Sequence, residues 1–99
     1  YKMGQVFEAI DRNDLRDNTM IICTTDHGLA FPNMKCHLTD HGIGVMLFIR
    51  GPDGFKDGKV IDGMVSQVDL FPTVCELTGI SKPSWLQGKS ITPLIHVKE

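Results

Sequence analysis

No hydrophobic run in these 99 residues approaches the ~20 needed to span a bilayer, so a membrane-spanning helix is excluded. No signal peptide is recognisable either. The chain opens at Tyr1-Lys2-Met3-Gly4, inside what reads as a helix, so a longer parent protein would carry any targeting segment outside it. No charge of one sign dominates: the formal net charge of -2 removes the electrostatic case for nucleic acid or an anionic membrane as partner. Cysteines are too few, odd in number and too scattered, at Cys23, Cys36 and Cys75, to form a disulfide framework. Cys23 and Cys75 lie in apolar contexts and are expected as buried thiols, whereas Cys36 sits between Lys35 and His37, the one reactive setting. Gly88-Lys89-Ser90 imitates the end of a phosphate-binding loop, but that motif needs glycine where Pro83 stands. No serine nucleophile elbow and no array-forming repeat is present.

What is there reads as α/β. Met3, Val6, Phe7 and Ile10 recur at helical spacing, with Lys2, Gln5, Glu8 and Asp11 on the opposite face. Asp17-Asn18 turns the chain into an apolar, β-branched run over 19–23, and a second run, Val45 to Ile49, closes at Arg50-Gly51-Pro52-Asp53-Gly54. Continuous rather than alternating apolar runs point to strands covered on both faces, as in a parallel sheet. A third extended piece is expected around Lys59 to Val65. Asp69 reads as a helix N-cap with Pro72 in the first turn, Leu70, Phe71, Val74 and Leu77 on one face, and Gly79 as the stop. Ninety-nine residues suit one small domain or a piece of a larger one.

The candidate chemistry centres on a tetrapeptide that occurs twice, Thr25-Asp26-His27-Gly28 and Thr39-Asp40-His41-Gly42. The first copy follows a strand, and in open α/β sheets ligands bind beyond the carboxyl ends of strands. In a turn tightened by Gly28, the Asp26 carboxylate and His27 imidazole can reach one cation; a carboxylate suits Ca2+, Mg2+ or Mn2+, and imidazole widens the choice. The plainer alternative makes Asp26 a turn residue and His27 an exposed loop histidine. Lys35 is either a point charge for an anionic substrate group or a solvated surface lysine. Cys36, His37, Asp40 and His41 raise a structural zinc site, weakened by the lack of any Cys-x-x-Cys pair. His96 has no evident partner and reads as a surface histidine.

The ordered set of motifs carries a resemblance. An amphipathic helix leads through Asp17-Asn18-Thr19 into an apolar strand and Thr25-Asp26-His27-Gly28. Lys35, Thr39-Asp40-His41-Gly42-Ile43, the strand Val45 to Ile49 and Arg50-Gly51-Pro52 follow. Asp69-Leu70-Phe71-Pro72-Thr73, Gly79-Ile80 and Gly88-Lys89-Ser90-Ile91 close the series. Over roughly residues 3 to 95 the chain resembles the carboxy-terminal half of the type I sulfatases, of the alkaline phosphatase-like superfamily. The resemblance implies an α/β fold that is part of an alkaline phosphatase-like mixed sheet with flanking helices, incomplete in this chain. All of residues 1–99 would then be one fragment of a catalytic domain. It also implies that Asp26 and His27 are ligands of a divalent cation, usually Ca2+, and that Lys35 contacts the sulfate group. His37 faces the cleft in this reading without matching a family ligand. The second Thr-Asp-His-Gly falls where the family carries a Tyr-Glu-x-Gly-Ile type segment, so Asp40 and His41 read as structural or substrate-lining and the repetition as chance.

Two departures matter. Val45 is followed by Met46 where the family usually has Val-Pro, and no cysteine begins the Cys/Ser-x-Pro-x-Arg motif from which sulfatases make formylglycine. The nucleophile and half the metal shell are therefore expected upstream. The implied activity of the parent is hydrolysis of sulfate esters or sulfamates on a small molecule or glycan, with the isolated chain inactive and prone to self-association. Phosphodiester or phosphonate hydrolysis, phosphoglycerol transfer in the same superfamily, and a non-catalytic metal-binding module are the alternatives.

Overall fold

The computed structural model describes residues 2–52, 55 and 58–96. The chain divides into two compact units, Tyr1–Lys56 and Asp57–Glu99.

The first unit holds helix α1 (Lys2–Arg12), a 3₁₀ turn (Arg16–Asn18), strand β1 (Ile21–Thr24), the single helical turn α2 (Asp40–Ile43) and strand β2 (Leu47–Arg50). The apolar spacing of α1 turns Phe7 and Ile10 inward, half-buried, while Met3 and Val6 stay exposed. The helix is fixed to β2 at two points. The Phe7 ring meets Phe48 edge-on with centroids 6.2 Å apart. The Arg50 guanidinium lies 5.5 Å from the Phe7 centroid and donates to Asp11 Oδ1 at 2.5 Å.

β1 and β2 pair antiparallel, with Ile21 opposite Arg50 and Thr24 opposite Leu47. This corrects the parallel arrangement that the continuous apolar runs suggested. A parallel pair needs a crossover that carries the chain back along the sheet. The connection over 25–46 contains only the turn α2 and returns the chain to the end of β1 it left, so Thr24 and Leu47 face each other. The apolar runs report how much cover the strands call for, and carry no information on direction. That cover is partial: every β2 residue is half-buried, as are the first three of β1.

The second unit consists of a 3₁₀ turn (Gln67–Asp69), helix α3 (Leu70–Thr78) and the turn α4 (Thr92–Ile95). Its core is Pro72, Thr73 and Cys75 of α3 against Ile91, Thr92 and Ile95. Phe71, expected on the inward face, is 52% exposed, because the face that packs is the one carrying Pro72, Thr73 and Cys75. Gly79 ends α3 at φ 72°, a left-handed position suited to glycine, and Ile80 N–H returns to Cys75 O. The expected strand at Lys59 to Val65 does not form: Asp62 and Gly63 interrupt the apolar residues, and all described residues from 58 to 68 are exposed.

Polar groups, more than apolar area, strap residues 88–92 to α3. The Asp69 carboxylate accepts from Ser66 N–H at 2.9 Å and from Lys89 N–H at 2.8 Å. Asp69 stands at the N-cap position of α3, as the sequence suggested, but its carboxylate makes no bond to the first turn of α3 and completes a capping box with Ser66 instead. The fully buried Thr73 hydroxyl donates to Asp69 O at 2.5 Å and accepts from Ile91 N–H at 3.0 Å. The Glu76 carboxylate is bonded by Ser90 and Thr92. The amide bond from Lys89, and then that from Ser66, holds Asp69 below its ordinary pKa; the Ser90 and Thr92 hydroxyls do the same for Glu76.

Candidate metal and anion site

β1 ends at Thr24, and the next four residues form the loop on which the candidate ligands sit. Two bonds extend the ladder past the strand: Thr25 N–H donates to Met46 O at 3.3 Å, and Met46 N–H to Thr25 Oγ1 at 3.2 Å. The chain then leaves the sheet, and Asp26 projects a carboxylate that is 88% exposed.

The structure brings Asp26 and His27 together. His27 Nδ1 lies 2.7 Å from Gly28 O. A carbonyl only accepts, so Nδ1 carries the proton and a neutral ring keeps its lone pair on Nε2. That Nε2 stands 3.5 Å from Asp26 Oδ1. Two electron-pair donors facing one another at this distance repel unless a proton or a cation lies between them. Metal-ligating histidines usually donate the other ring N–H to a carbonyl or carboxylate, which fixes the tautomer, and Gly28 O fills that role here. The donor set therefore fits a divalent cation. These are two donors, and among the described residues no group of three or more His, Cys, Asp and Glu side chains is placed to share an ion.

The second Thr-Asp-His-Gly packs against the first through its backbone. Gly28 N–H donates to Gly42 O at 3.0 Å, and Leu29 N–H to His41 O at 3.1 Å. A side-chain carbon on Gly28 would collide with the carbonyl oxygens of His41 and Gly42. Thr39 caps α2, its Oγ1 accepting from Gly42 N–H at 3.3 Å. Gly42 is the only buried residue among those described in the first unit. A side-chain carbon on Gly42 would meet the carbonyl oxygens of Met34 and His37. Asp40 and His41 themselves are exposed and act here through their backbone.

Met34 and His37 bracket Lys35, so the turn bearing the anion candidate is seated on Gly42. Met34 N–H donates to Phe31 O at 3.1 Å and His37 N–H to Met34 O at 3.0 Å. Lys35, Cys36 and His37 are all exposed. Cys36 takes φ 69°, a left-handed conformation that costs a non-glycine residue about 1–3 kcal/mol. Of the other cysteines, Cys75 is buried as expected and Cys23 half-buried.

Thr25, Thr39 and Gly42 escaped the sequence reading. Thr39 had a detectable signal, a threonine before a short helical turn; Gly42 had none beyond being glycine, because its partners are carbonyl groups that every residue owns. Gly88-Lys89-Ser90 also acquires a role, as the segment held by Asp69. Ser81-Lys82-Pro83-Ser84-Trp85 begins like a formylglycine motif but places Trp85 where arginine is required.

A family-wide sequence profile described as Sulfatase matches residues 1–80. Arylsulfatase K of Homo sapiens is 34% identical over 96 residues, which cover 93% of this chain and 18% of that protein. Arylsulfatase K of Danio rerio is 35% identical over 97 residues, covering 94% and 18%. The Extracellular sulfatase SULF-1 homolog of Drosophila melanogaster is 36% identical over 84 residues, covering 80% and 8%. The profile match and relatives above 30% identity over most of the chain agree, and the chain belongs to the sulfatase family. It spans about a fifth or less of the length of these relatives.

Proposed function

We propose that the full-length protein carrying this chain hydrolyses sulfate esters or sulfamates of a small molecule or glycan, and that these residues supply part of its catalytic domain. Strands β1 and β2 would belong to an alkaline phosphatase-like mixed sheet with flanking helices. Asp26 Oδ1 and His27 Nε2 would hold a divalent cation, with Ca2+ preferred over Mg2+ or Mn2+ on the family resemblance; the Asp26 carboxylate suits any of these hard ions. When bound, such a cation polarises the sulfate oxygens. Lys35 binds the sulfate as a point charge and offsets the charge that builds on it as the ester bond breaks. His37 lines the approach to that position. The remaining ligands and a formylglycine nucleophile come from outside these residues, since no Cys/Ser-x-Pro-x-Arg occurs within them.

The observation that carries this reading is the His27 ring, tied at Nδ1 to Gly28 O and turned with Nε2 toward Asp26 in a sulfatase-family chain. It is tested by calorimetric Ca2+ titration and aryl sulfate hydrolysis on the full-length protein. Asp26→Asn and His27→Ala are expected to weaken Ca2+ binding by on the order of 100-fold and to abolish turnover. Wild-type Ca2+ affinity in both variants would sink the metal assignment.

A further inference from the structure

The two halves of the candidate site share one backbone support, and it is the second Thr-Asp-His-Gly. Gly42 O accepts from Gly28 N–H, the residue whose own carbonyl fixes the His27 tautomer. A side-chain carbon on Gly42 would meet the carbonyl groups of Met34 and His37, which bracket Lys35. Thr39 accepts from Gly42 N–H with both its carbonyl, at 2.9 Å, and its hydroxyl, at 3.3 Å, and Thr25 ties the start of the cation loop to Met46. The loop with Asp26 and His27 and the turn with Lys35 therefore meet across one buried residue too small to keep them apart. A side chain at position 42 would push against the turn that bears Lys35, and a shift of Gly42 in response would carry its carbonyl away from Gly28 N–H.

We propose that Thr39 and Gly42 are positioning residues that set the Asp26–His27 pair and Lys35 in register with each other. This rests on the metal and anion reading above. Neither residue touches cation or substrate; each acts through Gly28 and through the turn that bears Lys35. A displacement of α2 would thus weaken cation binding and substrate binding together, although the chemical groups of both remain intact. A residue that served stability alone would lower the melting temperature and leave the Ca2+ affinity of the folded protein as it was.

The test uses the full-length protein, Ca2+ alone as the titrant, and steady-state kinetics on an aryl sulfate. Gly42→Ala adds one methyl group and is expected to raise the Ca2+ Kd and the KM, each on the order of ten-fold. Thr39→Val keeps the shape of threonine and removes only the cap to Gly42, so it remains informative if Gly42→Ala does not fold. It is expected to shift both quantities the same way by a smaller factor, with Thr39→Ser restoring them. A folded Thr39→Val or Gly42→Ala protein with wild-type Ca2+ Kd and KM overturns the proposal. If Asp26→Asn abolishes Ca2+ binding while Thr39→Val leaves it unchanged, the positioning role alone has failed. If Asp26→Asn itself binds Ca2+ normally, the metal reading has failed and takes the positioning role with it.

Discussion

At the scale of single residues the chemistry rests on which atoms are already engaged. His27 has one ring nitrogen committed to Gly28 O and one turned to a carboxylate, whereas Lys35 stands exposed on its turn. The two residues are thus expected to fail differently on substitution. Lys35→Ala should lower kcat/KM on the order of 100-fold while leaving the Ca2+ Kd unchanged, because it removes charge stabilisation and no ligand. Lys35→Arg restores the charge with a planar fork in place of a point donor, so partial recovery is expected. A Lys35→Ala enzyme within two-fold of wild type would remove Lys35 from the site. Asp26, His27 and Lys35 could be nominated from the sequence because they are side chains with distinctive chemistry. The contacts of Gly28 and Gly42 could not, since they run through amide and carbonyl groups that no residue type advertises.

At the scale of elements, α1, β1, β2 and α3 all lie within a few residues of where apolar periodicity put them, and Gly79 stops α3 as read. What periodicity could not supply was relative direction, hence the mistaken parallel pairing, or whether an apolar stretch finds a partner, hence the missing strand at Lys59 to Val65. Docking of α1 depends on a charge the pattern also hid. Arg50 combines a short ion pair to Asp11 with a stacked position on Phe7 and is mostly shielded from solvent. Arg50→Ala is expected to destabilise the helix contact by about 2 kcal/mol, read as increased amide exchange over α1. An exchange pattern identical to wild type would show that Phe7 against Phe48 suffices.

The polar strap on α3 gives a pH dependence at the same scale. Asp69 and Glu76 both have folded pKa values below their unfolded ones. Each therefore contributes stability that is present above the unfolded carboxylate range, about pH 4, and is lost as pH falls through the depressed folded value. The melting temperature, followed by circular dichroism, should stay level from pH 7 to about 5 and drop below about 4. Asp69→Asn should lower it at pH 7 and flatten the acid limb. An acid limb as steep in the Asn variant as in wild type would assign that loss to other carboxylates.

At the scale of the whole molecule the two units differ in what holds them. The second has a small core of Cys75, Ile91 and Ile95 closed by the polar strap. The first has no buried apolar side chain among its described residues, and Leu38 is 94% exposed, with Leu29, Phe31 and Ile43 also open to solvent. Apolar burial contributes roughly 25 cal/mol per Å2, so a unit that buries no apolar side chain has little to set against the entropy of ordering its backbone. Two consequences are expected when these 99 residues are expressed by themselves. Heating should melt the units in separate, weakly cooperative steps, the first unit earlier. The open strands and exposed apolar side chains should also drive self-association, giving light-scattering masses well above 11.0 kDa that rise with concentration. A monomer at high concentration that unfolds in one sharp transition would mean that the half-covered faces of β1 and β2 suffice without further cover.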